Sequence, residues 1–205
     1  MNTLAQKKEN RIDAVVMGAS AGGVDALLTL LAALPGNAPF TVMVVLHVPK
    51  DRRNMLPEIF GPKCALPVLE ASDKQPAMAG TVYIAPPGYH LLVDRGPTLA
   101  LSVDEPVNYS RPSVDVLFES AALEYGPRLM GIVLTGANQD GAAGLAAVQG
   151  AGGVTVVQDP ETAQAPLMPE SALQRITPDH VLPLDGIAEL LRRLGSSTRS
   201  PSHGG

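Results

Sequence analysis

Residues 12–34 read IDAVVMGASAGGVDALLTLLAAL, and the way this stretch divides decides the fold. IDAVVMG (12–18) is a short apolar run of the kind found in parallel strands buried on both faces. GVDALLTLLAAL (23–34) is apolar on most sides and stops before Pro35-Gly36, the punctuation expected where a helix ends. Between them lies GASAGG (18–23), small residues around one serine, Ser20. A hydroxyl on a strand-to-helix turn can cap the helix, cradle a phosphate or serve as a nucleophile. The G-x-x-x-G-G spacing departs from the G-x-G-x-x-G of dinucleotide-binding turns, and no Lys-Ser/Thr follows as a P-loop requires. The phosphate reading is therefore the weakest of the three.

The alternation continues outward from this stretch. TVMVVL (41–46), MGIVLTG (130–136), GVTVVQ (153–158) and HVLPL (180–184) have strand character. DRRNMLPEIF (51–60), SVDVLFESAALEYG (113–126), GAAGLAAVQGAG (141–152), MPESALQRI (168–176) and GIAELLRRLG (186–195) have helical character. Strands alternating with helices imply a parallel sheet with right-handed crossovers. A β-rich stretch interrupts the alternation: ALPVLE (65–70), TVYIAPP (81–87), HLLVD (90–94) and LALSV (99–103), which read together as an antiparallel excursion. The expected architecture is α/β, a doubly wound, mostly parallel sheet with helices on both faces and a mid-chain antiparallel β insertion. Residues 1–11 read as a mobile polar tail, 12–194 as one folded catalytic domain, and the Ser/Gly-rich 195–205 as a disordered tail.

Bulk composition narrows the function. With 45% apolar and 17% charged residues, the 205-residue chain suits one compact domain rather than a disordered segment. A net charge of −5, 3% aromatic residues and no tryptophan argue against nucleic-acid binding, which needs a basic surface or stacking platform. The single cysteine, Cys64, can form no internal disulfide, and its apolar neighbours make it a core filler. No secretory apolar region and no run of about 20 apolar residues occurs, so a cytoplasmic location without membrane insertion is expected. Four histidines without HExxH spacing give no metal site, and no cofactor is expected.

In an open α/β sheet, ligands bind beyond the carboxyl ends of the strands. Three strand runs end on complementary groups: AVVMGA leads to Ser20, TVMVVL to His47 and GIVLTGANQ to Asp140. Hydroxyl, imidazole and carboxylate are the parts of an activated serine. Gly18, Gly22 and Gly23 would let the serine stand on a sharp turn, with backbone N–H groups free to meet an oxyanion. Taken singly, Ser20 and Asp140 could each be helix caps and His47 a core histidine; their conjunction favours chemistry. The chain order Ser, His, Asp differs from the Ser, Asp/Glu, His order of α/β-hydrolases.

The strings GASAGGVDAL, VVLHVP, VYIAPPGYH, RPSVDVLFESAA, GIVLTGANQDGAAGL and AGGVTVVQDPETAQAPLMPESAL follow in the order found in catalytic domains of chemotaxis receptor methylesterases. The chain resembles this CheB family from about Asp13 to Leu194. The resemblance implies a hydrolase that removes methyl groups from γ-glutamyl methyl esters on chemoreceptor cytoplasmic helices and deamidates receptor glutamines. It carries the family's nucleophile, histidine and aspartate onto Ser20, His47 and Asp140. Methylated receptor helices are the implied partners, with other chemosensory proteins beside them.

The departures are specific. Ala21 stands where the family commonly has threonine, KDRRNMLP where an aromatic-threonine pair often follows the histidine, and Ala137-Asn138 where Met-Gly is usual. The backbone N–H groups of Ala21 and Ala137 are expected to assist an oxyanion, since a main-chain donor is independent of side-chain identity. Arg52 and Arg53, with Lys50, are expected to guide acidic receptor helices to the site mouth if they are more than a solvated face. His90 and Arg111 are expected to anchor loops. Only 11 residues precede the first strand, so the resemblance points to a catalytic domain without the family's receiver domain. Two alternatives stay open: a non-catalytic module that binds receptors or signalling proteins, and an esterase for another protein or small ester.

Overall fold

The computed structural model describes residues 11–48 and 54–196. Seven strands form one sheet: β1 (Ala14–Ala19), β2 (Thr41–Leu46), β3 (Val68–Glu70), β4 (Val82–Ile84), β7 (Leu129–Val133), β8 (Val154–Gln158) and β9 (His180–Leu182). Their order is β3-β4-β2-β1-β7-β8-β9, and every neighbouring pair is parallel. Two further strands, β5 (His90–Asp94) and β6 (Thr98–Ser102), make a separate antiparallel hairpin. Helices α1 (Gly23–Ala32), α2 (Leu56–Phe60), α3 (Val114–Tyr125), α4 (Ala142–Gly150), α5 (Leu167–Arg175) and α6 (Leu184–Ser196) complete the fold.

Side chains one residue apart on a strand point to opposite faces, so a two-sided sheet needs apolar residues at every position. In β1, Val15, Met17 and Ala19 enter one core with Leu27, Leu30 and Leu31 of α1 and Ile187 and Leu191 of α6. Ala14 and Val16 enter the other with Phe118 of α3, Leu145 of α4 and Met168 of α5. The two cores confirm helices on both faces of the sheet.

Two expectations need correction. ALPVLE and TVYIAPP do not join the antiparallel insertion; as β3 and β4 they extend the parallel sheet. The reason is burial: Val82 and Ile84 pack into one core and Tyr83 into the other, so β4 needs a ladder on each edge. Only HLLVD and LALSV are antiparallel, with Leu91, Val93 and Leu99 turned inward and Asp94 exposed. The closing helix, expected over 186–195, runs from Leu184 to Ser196. Gly195 is buried there, where an added Cβ would lie 2.1 Å from Pro35 Cγ, so packing extends the helix. The rest of the expected tails, 1–10 and 197–205, lie outside the described residues. Arg11 is described and pairs with Asp13.

Candidate active site

The chain leaves β1 in one direction across the sheet to β2 and returns to its other side at β7. Such a reversal opens a crevice at the carboxyl ends of the strands. Register pairs Ala19 with Leu46 and Gly18 with Val133, so the residues that follow these strands meet at one rim. Two backbone hydrogen bonds extend the pairing: Ser20 N–H donates to Thr135 O at 2.9 Å and His47 N–H to Ala19 O at 3.1 Å.

Ser20 stands on a tight turn closed by Gly23 N–H donating to Ser20 O at 2.8 Å. The turn needs Gly22 at φ 77°, a left-handed conformation that side chains with a Cβ adopt only under strain. Gly22 is also the N-cap of α1, which receives no side-chain cap, so Ser20 does not cap the helix. Among the described residues the Ser20 hydroxyl has no hydrogen-bond partner. The Thr135 hydroxyl donates to Ala21 O at 2.9 Å and fixes the far side of the turn. Ala21 and Ala137 show no acceptor for their N–H groups among the described residues.

His47 and Asp140 meet directly, with Nε2 and Oδ2 2.8 Å apart. Asp140 is fully buried while the His47 side chain keeps 12% of its surface. Asp140 does not cap its own following helix, whose N-cap is Gly141 without a side-chain bond. It caps α3 instead. Val114 N–H donates to Oδ2 at 2.7 Å, Asp115 N–H to Oδ1 at 3.1 Å and Ser113 Oγ to Oδ1 at 2.8 Å. With His47 already counted, Asn108 Nδ2 adds a fifth protein donor at 3.3 Å from Oδ1. The α3 N-terminus can come this close because residue 18 is glycine: a Cβ there would sit 2.2 Å from Val114 Cγ1.

The remaining ring nitrogen is also engaged. Asn138 Nδ2 lies 3.2 Å from His47 Nδ1, and Asp140 N–H donates to Asn138 Oδ1 at 3.1 Å. A backbone N–H meets only an acceptor, which turns the Asn138 amide nitrogen toward the ring. That nitrogen only donates, so Nδ1 carries the lone pair and Nε2 carries the proton given to Asp140. The three residues thus close a ring of hydrogen bonds that begins and ends on Asp140.

Burial alone would raise the Asp140 carboxyl above its ordinary value, but hydrogen bonds from His47, Val114, Asp115 and Ser113 outweigh it and hold the group low. Asp140 is therefore ionised at neutral pH. Asp115, next to it, is pushed the other way, first by burial and further by the Asp140 charge. Its Oδ1 accepts N–H groups of Gly141 and Gly144 at 2.9 and 2.6 Å, which tethers α4 to α3.

A family model described as CheB methylesterase matches residues 15–191. The chain belongs to the CheB methylesterase family. A putative protein-glutamate methylesterase/protein-glutamine glutaminase of Leptospira interrogans is 44% identical over 182 residues, covering 89% of this chain and 94% of the relative. A Koribacter versatilis protein-glutamate methylesterase/protein-glutamine glutaminase 2 is 36% identical over 92% of this chain and 53% of its own length, so the chain spans about half of that relative. The crystal structure of the Thermotoga maritima CheB methylesterase catalytic domain superposes with a TM-score of 0.85 at 33% identity, covering 89% of this chain and 98% of that one. The enzyme class is accordingly that of a methylesterase, and the sheet with its hairpin is the CheB catalytic fold.

In this CheB-family site the structure brings His47 and Asp140 into contact and sets Ser20 on the adjoining strand end. No hydrogen bond joins Ser20 Oγ to His47 among the described residues. Arg52, Arg53 and Lys50 lie outside the described residues. Loop anchoring by His90 and Arg111 is seen: His90 Nδ1 accepts Ser113 N–H at 3.2 Å, and Arg111 donates to Val103 O and, at 2.8 Å, to Asp104 O. Cys64 is half-buried against the α1 core rather than enclosed in it. Sequence reasoning missed Ser113, Asp115, Asn108, Thr135 and the contact of Asn138. The first two sit inside RPSVD, a string singled out for its resemblance, where a helix-opening Ser-x-Asp signals a cap with no indication of what it caps. Among the described residues no group of three or more His, Cys, Asp or Glu could hold a metal ion, and no helix is long and apolar enough to cross a membrane.

Proposed function

We propose that this CheB-family methylesterase removes methyl groups from γ-glutamyl methyl esters on the cytoplasmic helices of chemoreceptors, and deamidates receptor glutamines, with Ser20 as nucleophile, His47 as base and Asp140 as its orienting carboxylate. The 2.8 Å hydrogen bond between a buried, ionised Asp140 and His47 carries this reading. With Nε2–H held by Asp140, Nδ1 is the atom that takes the serine proton. Ser20 Oγ attacks the γ-carbonyl, the proton passes to Nδ1, and the C–O bond to the methoxy group breaks as that proton returns to the leaving group as methanol. Water then attacks the glutamyl-enzyme with the same nitrogen as base, and the carboxylate and free serine are regenerated. The N–H groups of Ala21 and Ala137, which have no acceptor among the described residues, support an oxyanion role at this rim.

The substrate lies in the cytoplasm under this reading. The test is methanol release from methylated receptor: Ser20→Ala should lower kcat by about 10³-fold or more. Hydrolysis by Ser20→Ala at the wild-type rate would remove the nucleophile assignment. Hydrolysis of generic esters with methylated receptor left untouched would redirect the enzyme to another ester, and no labelling of the folded protein by a fluorophosphonate would favour the binding-module alternative.

A further inference from the structure

We infer that Asn138 is a latch on the base: in the resting enzyme its carboxamide occupies the His47 lone pair that must receive the Ser20 proton. This rests on the reading of Ser20 and His47 just given and adds a restraint within the same site. A ring nitrogen has one lone pair in the ring plane and accepts one hydrogen bond well. Asn138 Nδ2 holds that position at 3.2 Å from Nδ1, and the Ser20 hydroxyl has no partner among the described residues. The two facts are complementary, since a hydroxyl excluded from Nδ1 is left unpaired. The amide is held in this orientation from behind by Asp140 N–H at 3.1 Å. It is half-buried at the rim, between exposed Ala137 and Gln139, so an arriving substrate can displace it without disturbing either core. Asn138 is thus a positioning residue: it keeps Nδ1 unprotonated and Nε2–H on Asp140, and it withholds the base until the site is filled.

The reaction with a fluorophosphonate isolates the step the latch controls. The Ser20 Oγ–P bond forms as the P–F bond breaks, the serine proton goes to His47 Nδ1 and fluoride leaves. Asn138→Ala removes the donor. Asn138→Ser removes its reach to Nδ1 while keeping an oxygen that can accept Asp140 N–H in a local turn, so it serves if the alanine variant folds poorly. Releasing one neutral hydrogen bond should speed Ser20 labelling by about two- to tenfold in both variants. ¹⁵N NMR of the His47 ring gives a second readout: Nδ1 should move toward the value of an unbonded acceptor while Nε2 stays protonated. A purely structural role for Asn138 would move neither in the serine variant. Labelling that is unchanged or slower in both variants, with Nδ1 unmoved, overturns the latch alone. Absence of labelling in folded wild type and variants overturns the hydrolase reading and the latch with it.

Discussion

Replacing Asp140 by asparagine tests the site and the fold in one experiment. The carboxylate receives five protein donors: His47 and Val114 on Oδ2, and Ser113, Asp115 and Asn108 on Oδ1. An amide keeps one oxygen. With its NH₂ in the Oδ2 position it opposes Val114 N–H and forces His47 to present a lone pair at Nε2, which moves the ring proton to Nδ1. With its NH₂ in the Oδ1 position it opposes Asp115 N–H and Asn108 Nδ2. Either way one backbone N–H of α3 faces a donor in a buried place, a loss of about 1–3 kcal/mol, and the surviving bonds lose their charge. A total of roughly 2–4 kcal/mol is expected in urea unfolding at neutral pH. The first arrangement also places the base in the wrong tautomer, for a loss in kcat of about 10⁴-fold.

The pH dependence fixes the sign. The Asp140 carboxyl is held below its unfolded value of about 3.9, so its contribution is complete above that pH and vanishes as pH falls through the folded value. The stability gap between wild type and Asp140→Asn should therefore narrow when unfolding is repeated in acid. A variant within about 0.5 kcal/mol of wild type at neutral pH, with methanol release undiminished, would refute both the capping and the orienting roles.

Other substitutions probe separate links. Gly18→Ala puts a methyl 2.2 Å from Val114 Cγ1, so it should destabilise by about 1–3 kcal/mol in urea titration and lower activity by shifting the α3 N-terminus. Ser113→Ala removes one of the donors on Asp140 and should cost about 1–3 kcal/mol while leaving the His47 contact, so kcat should fall far less than in Asp140→Asn. Tyr125→Phe should raise the thermal midpoint, because the Tyr125 hydroxyl is buried without a hydrogen-bond partner among the described residues; burial also pushes its pKa up to about 12. A drop in midpoint would mean that the hydroxyl has a partner after all. Charge reversal of Arg52 and Arg53 together should slow association with acidic receptor helices at low salt and have little effect at high salt; stopped-flow binding at two ionic strengths decides it.

The rim of the site was legible because a parallel strand buried on both faces writes itself as an apolar run, and the next residue must emerge at the sheet edge. Ser20, His47 and Asp140 stand out as candidates on that reading. The β3–β4 pair was misread because Pro67, Gly80 and Pro86-Pro87 punctuate it as they would hairpins, while parallel pairing depends on partners far along the chain. The partners of Asp140 on α3 were invisible for a similar reason: they depend on a helix lying against Gly18, a contact between residues 96 positions apart, 18 and 114. Asn138 was noticed as a departure, and its bond to Asp140 N–H is a local turn, but its bond to His47 crosses the sheet rim.

The capping of α3 by Asp140 has an evolutionary corollary. Under the proposed mechanism the aspartate is a keystone as well as a reagent, so a descendant that gave up hydrolysis would still be selected to retain it for the sake of its architecture. The Ser20 hydroxyl supports nothing else in the described chain and is at liberty to drift. In surveying relatives for lost enzymes, a retained aspartate is therefore poor testimony of a working site, and the serine position is the one to read.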